Sequence, residues 1–165
     1  MNKRTPPLLV LAIGNPSRGD DAVGPLLGER LTTWLSQQSP ELASQVDVIV
    51  EQQLMVEHLL DMQGRQHILF IDAAASGVKG HHLAPVTLLP APQLPGHACQ
   101  PGELLGLFLS TLNADPPSAT LMAVEGHQFE LGQPLSEFTK NHAEAAWRIL
   151  LENLTRMLGS ASPCA

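Results

Sequence analysis

The chain has 165 residues, 44% of them hydrophobic and 15% charged, a size and balance that suit one globular domain over residues 1–165 and exclude an intrinsically disordered chain. Nine Lys plus Arg against sixteen Asp plus Glu leave a formal charge of -7, which repels phosphate backbones and excludes nucleic acid as the expected partner. No apolar run reaches bilayer length, and Cys99 and Cys164 are too few for a disulfide framework, so both are expected as reduced thiols in the cytoplasm.

The first element is a continuous apolar run at residues 8–13. Lys3 and Arg4 ahead of it imitate a signal peptide, but Pro6 and Pro7 interrupt the run and Gly14-Asn15-Pro16 follows too early. A buried first strand is the expectation. Similar runs at 46–50, 68–71, 86–89 and 121–124 read as further strands covered on both faces. Between the first two, Val23, Leu26, Leu27, Leu31 and Trp34 repeat at helical spacing over residues 23–37, with Asp20 and Asp21 as candidate caps. A shorter helix is expected over 54–62, with Leu59 and Leu60 inward and Glu57 and Asp61 outward, so the first three strands form two βαβ units.

After the third strand, residues 73–85 contain Ser76-Gly77, Gly80 and His81-His82 but no apolar period, and read as loop ahead of a fourth strand at 86–89. A Pro-rich loop at 90–101, a helix at 102–112, the fifth strand, a loop at 126–134 and a closing helix at 137–158 complete the order, with ends 1–6 and 160–165 expected to fray.

The polar turn Gly14-Asn15-Pro16-Ser17-Arg18-Gly19-Asp20-Asp21-Ala22-Val23-Gly24 joins a buried strand to a helix, at the edge where open α/β sheets bind ligands. It lacks Gly-Lys-Ser/Thr and G-x-G-x-x-G, and two carboxylates at a helix start repel phosphate, which disfavours a nucleotide-binding enzyme. One of the two aspartates is expected to cap the helix and the other to face the cleft. Asp72 ends the third strand and reaches the same crevice. His97 precedes a helix; two carboxylates and an imidazole would suit a divalent transition metal with open positions. His81 and His82, adjacent in an extended loop, diverge and are weaker candidates.

Gly14-Asn15, Asp20-Asp21 with Gly24, Asp72, then His97 ahead of Glu103-Leu104-Leu105, together with Val124-Glu125-Gly126, Phe129, Leu131 and Leu135-Ser136, resemble the NiFe-hydrogenase maturation endopeptidases over nearly the whole chain. The resemblance implies a three-layer α/β/α sandwich with a mixed five-stranded sheet of order 2-1-3-5-4 and strand 4 antiparallel. It implies removal of the C-terminal peptide of a hydrogenase large-subunit precursor after nickel insertion, with Asp21, Asp72 and His97 as catalytic and metal-contacting residues. Nickel would arrive with the precursor, and cadmium or zinc could mimic it in crystals. That precursor is the only expected partner of a monomeric chain, with neither membrane nor nucleic acid involved. Ala22, where the family commonly has glycine, and Glu51-Gln52-Gln53, where some members are Gly-rich, are departures that bear on the choice of hydrogenase. A non-proteolytic nickel metallochaperone or assembly scaffold would use the same ligands, and only a cleavage assay separates the two.

Overall fold

The computed structural model describes residues 5–92 and 98–159. Its central strand, β1 (Leu8–Ile13), is buried at every position, as its unbroken apolar run requires. It is flanked by β2 (Val46–Glu51) and β3 (His67–Ala74), both parallel to it. Next to β3 runs β5 (Ser118–Glu125), also parallel, and β4 (His81–Pro85) closes the sheet antiparallel to β5. Among the described residues the order is therefore β2-β1-β3-β5-β4, the mixed sheet that the resemblance implies.

Helices cover both faces. On one side α1 (Val23–Ser36) and α5 (Glu137–Gly159) bury Leu27, Leu31, Trp147 and Leu150 against Val10, Leu69 and Val124. On the other, α3 (His58–Met62) and α4 (Pro101–Leu112) bury Leu59, Met62, Leu104 and Phe108 against Leu9, Ile68 and Phe70. Successive residues of β1 and β3 thus alternate between two cores, the physical content of a three-layer fold. A capping box between Gln100 and Glu103 starts α4, with Pro101 in its first turn. At the amino edge His67 bridges the hydroxyls of Ser118 (2.7 Å) and Thr120 (2.8 Å), tying β3 to β5 in register. Burial lowers the pKa of that imidazole.

Four local expectations change. The fourth strand is β4 (His81–Pro85), not residues 86–89: it lies at the sheet edge, where one side is open and no apolar run is needed. Val86 still donates to the Ala119 carbonyl, but Leu89 has already turned to bond Gly102. The helix expected over 54–62 shortens to five residues, and Leu60 is 69% exposed while Leu59 is buried, because neighbours on a helix point about 100° apart. A further short helix, α2 (Pro40–Ala43), is started by the Ser39 hydroxyl, which accepts from the Leu42 amide. The last change concerns the helix cap, where neither acidic residue serves. Among the described residues no helix is long and apolar enough to cross a membrane.

Candidate functional site

The β1 to α1 connection folds back tightly on itself. A Cβ on Gly14, whose φ is +148°, would run into the Asp21 carbonyl, and one on Gly24 would strike the carbonyl of Ile13. Asn15 organises the loop: its side chain accepts from the Ser17 amide (2.9 Å), its carbonyl from Arg18 (3.0 Å), and its own amide donates to Asp21 Oδ2 (2.7 Å). A 3-10 turn at Gly19–Ala22 then leads into α1 and packs against β3. The residue before α1 is Ala22, and no side chain caps that helix. The expected division of cap and ligand between Asp20 and Asp21 is therefore corrected, because the extra turn carries both carboxylates away from the first amides of α1.

Asp20 has a different task. Its side chain is fully buried, with Oδ2 accepting the amides of His127 (2.8 Å) and Gln128 (3.1 Å) and Oδ1 that of Ser136 (2.8 Å). The backbone repeats the connection: Asp20 N donates to Gln128 O, Gly19 N to Gln133 O and Gly132 N to Ser17 O. Burial alone would push the Asp20 carboxyl up, but hydrogen bonds from His127, Ser136 and Gln128 outweigh it and hold the pKa at about 2. Asp20 rivets the loop after β5 onto the loop after β1.

The turn that carries Asp21 packs against β3, near enough to Asp72, third from the end of that strand, for the charge of one to act on the other. Asp72 Oδ1 accepts the Ala73 amide at 2.8 Å, and Asp21 Oδ2 holds the Asn15 amide. Among the described residues neither second oxygen receives a hydrogen bond. Burial raises the Asp72 pKa to about 7; the Ala73 amide works against that rise, and the negative charge of Asp21 adds to it. Such a carboxyl can exchange a proton near neutral pH, and the pair has two spare oxygens and uncompensated charge to offer a cation.

Glu125, at the end of β5, is by contrast committed. Its Oε2 accepts the Gly80 amide (2.6 Å) and its Oε1 lies 3.0 Å from His127 Nε2, while the rings of His127, Phe138 and His142 stack edge to face. The Gly80 amide is the main reason that its pKa is lowered. His97 lies outside the described residues, and among those described no group of three His, Cys, Asp or Glu side chains could hold a metal. Two of the three expected donors, Asp21 and Asp72, are thus brought together. Sequence reading missed the role of Asp20, although the polar residues at 127, 128 and 136 gave no pattern that would have paired them with it.

No family model and no curated protein matches the sequence. Solved structures do match the fold. The hydrogenase maturating endopeptidase HybD from E. coli is 24% identical, with a TM-score of 0.65 over 90% of this chain and 92% of that one. A NiFe-hydrogenase maturation protease, HycI, from Thermococcus kodakarensis KOD1 gives 20% identity and a TM-score of 0.62 over the same shares. The hydrogenase 2 maturation peptidase from Thaumarchaeota archaeon SCGC_AB-539-E09 gives 22% and 0.59 over 89% of this chain and 97% of that one. At these identities the likeness is one of fold, including the five-stranded mixed sheet.

Proposed function

We propose that this chain is a processing endopeptidase that removes the C-terminal peptide of a NiFe-hydrogenase large-subunit precursor once nickel has been inserted. The observation that carries the reading is the pairing of Asp21 and Asp72 at the carboxyl edge of the sheet, each with one oxygen to spare. It is supported by the sequence motifs around those residues and by the fold shared with structures named as hydrogenase maturation proteases. Nickel is cargo of the precursor in this reading. Two carboxylates whose repulsion is unrelieved favour a divalent ion, and His97 would add the imidazole.

Peptide hydrolysis needs a base for the attacking water and an acid for the leaving amine. Asp72, poised near neutrality, suits that exchange: its carboxylate takes the water proton and returns it to the departing nitrogen. Asp21, oriented by the Asn15 amide, contributes negative charge and an oxygen donor to the incoming metal centre. The precursor's nickel either polarises the scissile carbonyl or serves as the tag by which a finished precursor is recognised.

The deciding experiment incubates the purified chain with nickel-loaded and nickel-free precursor and measures the released C-terminal peptide by mass spectrometry. Release from the loaded precursor alone is expected. Nickel transfer or tight binding with no cleavage of either form would return the assignment to a metallochaperone or scaffold.

A further inference from the structure

The sheet register places three residues in one row across neighbouring strands. Asp72 of β3 pairs with Ala123 of β5, and Ala123 with His82 of β4. All three lie on the α4 face: Phe70 and Leu121, two residues before Asp72 and Ala123, belong to that core, and His82, Ala84 and Ala123 line one cavity there. The cavity measures about 320 Å³ and lies between the β4/β5 edge and the start of α4, with Val86, Leu89 and Leu121 among its walls. Leu89 is 40% exposed and His82 stands exposed at the mouth, so the space is open to solvent. A larger cavity of about 660 Å³, formed by residues 63–66 and 114–118 with Phe108 and Leu112, sits where β3 and β5 begin, at the opposite edge from Asp72. In a parallel sheet it is the carboxyl edge that carries chemistry, so the smaller cavity is the one placed to serve it.

We propose that this cavity is a substrate subsite, taking one large apolar side chain of the precursor within about three residues of the scissile bond; this rests on the processing function above. Adjacent strands lie about 4.8 Å apart, so the cavity begins one step from Asp72 and reaches His82 at the second, roughly 10 Å away. An extended peptide covers that distance in about three residues. Ala123, a small buried residue, lines the cavity and separates it from Asp72 by a single step in the row. The chemistry of the walls selects the occupant. None of the described lining residues carries a carboxylate, so a lysine or arginine would lose water with no partner in contact, and carboxylates acting only from a distance do not offset that loss. An acidic side chain would meet the field of Asp21, Asp72 and Glu125. An apolar group gains from burial and pays neither penalty. His82 therefore acts as the rim of a specificity pocket, whereas the sequence reading discounted it together with His81.

The test uses the full chain labelled with nitrogen-15 and three capped pentapeptides, glycine throughout except for a central phenylalanine, aspartate or lysine. The phenylalanine peptide should shift the amides of Ala84, Leu121 and Ala123 at millimolar concentration, with the other two at least ~10-fold weaker, as expected of an apolar pocket. His82→Trp closes the mouth from an exposed position; it should abolish those shifts and raise KM for nickel-loaded precursor ~10-fold, leaving kcat within about 2-fold. A thermal melt shows whether that variant folds, and His82→Ala, which removes part of the rim but keeps the mouth open, should weaken the phenylalanine-peptide shifts by only a few-fold where His82→Trp abolishes them. Equal shifts for all three peptides, shifts confined to residues 63–66 and 114–118, or indifference to His82→Trp would overturn the subsite. Cavity binding with no cleavage of precursor would support the pocket and overturn only the processing function.

Discussion

Asp20 and Asp72 stand at the same edge of the same sheet, both withdrawn from water, and their acidities are driven in opposite directions, to about 2 and to about 7. The difference lies in the donors around them. Asp20 accepts three backbone amides, whereas Asp72 accepts one and faces the negative charge of Asp21. A carboxylate that holds two loops together has its charge satisfied inside the protein. In the proposed function Asp72 would meet the precursor with its unsatisfied oxygen, and the fold bears the cost of leaving it unpaired. Acidity separates these two roles more clearly than burial does.

The sharpest way to break the comparison is to neutralise each carboxylate and read activity and stability separately. Asp72→Asn and Asp21→Asn should each lower precursor processing by roughly 10²- to 10⁴-fold, the usual worth of a positioned acid or base, with the fold retained. Processing within a few-fold of wild type, measured by peptide release, would remove either residue from the site. Asp20→Ala should instead act on the fold, because it leaves three amides unpaired in the interior: a loss of about 3–5 kcal/mol and about 10 °C in Tm by calorimetry. Asp20→Asn should be nearly as damaging, since both oxygens accept and an amide nitrogen would confront the donor of one side. A melting temperature unchanged by Asp20→Asn would show that the rivet is not structural.

Stability against pH sharpens the contrast. The Asp20 pKa is depressed from its ordinary 3.8, so its contribution is complete above about pH 4 and disappears as pH falls toward 2. The Asp72 pKa is raised from the same ordinary value to about 7, so the unfolded chain releases that proton first, and stability is lost as pH rises from about 4 to 7. Asp72→Asn should accordingly stabilise the metal-free protein by ~4 kcal/mol at pH 8 and by almost nothing at pH 4. Denaturant melts at the two pH values check this, and an equal effect at both would contradict the burden placed on Asp72. The smallest effect is expected far from the site, at Arg30 of α1. It makes a two-pronged ion pair with Glu144 of α5 (2.6 and 3.2 Å) and lies 4.5 Å over the Trp147 ring, yet it is exposed. Arg30→Ala should cost only ~0.5–1 kcal/mol and leave processing unchanged.

Periodicity and punctuation were sufficient for the elements whose reason for existing is local. The run at Leu8–Ile13 is apolar because both faces of β1 are covered, α1 announces itself by helical spacing although no side chain caps it, and α4 starts at Pro101 with a capping box. Asp21 and Asp72 were legible for the same reason: a carboxylate directly after or near a buried strand can only emerge at the edge. What depends on the other side of the molecule was not. β4 carries histidines and ends in proline because an edge strand has open backbone and little core to fill, so no apolar alternation marked it. Asp20 looks like a helix cap until the partners of its oxygens, more than a hundred residues away, are seen to be His127, Gln128 and Ser136. His82 reaches the row of Asp72 only through the antiparallel register of β4 on β5. A sequence records how each segment meets its own neighbours; which loops are riveted together, and which side chain lines up with which across the sheet, is decided when strands choose partners and register in three dimensions.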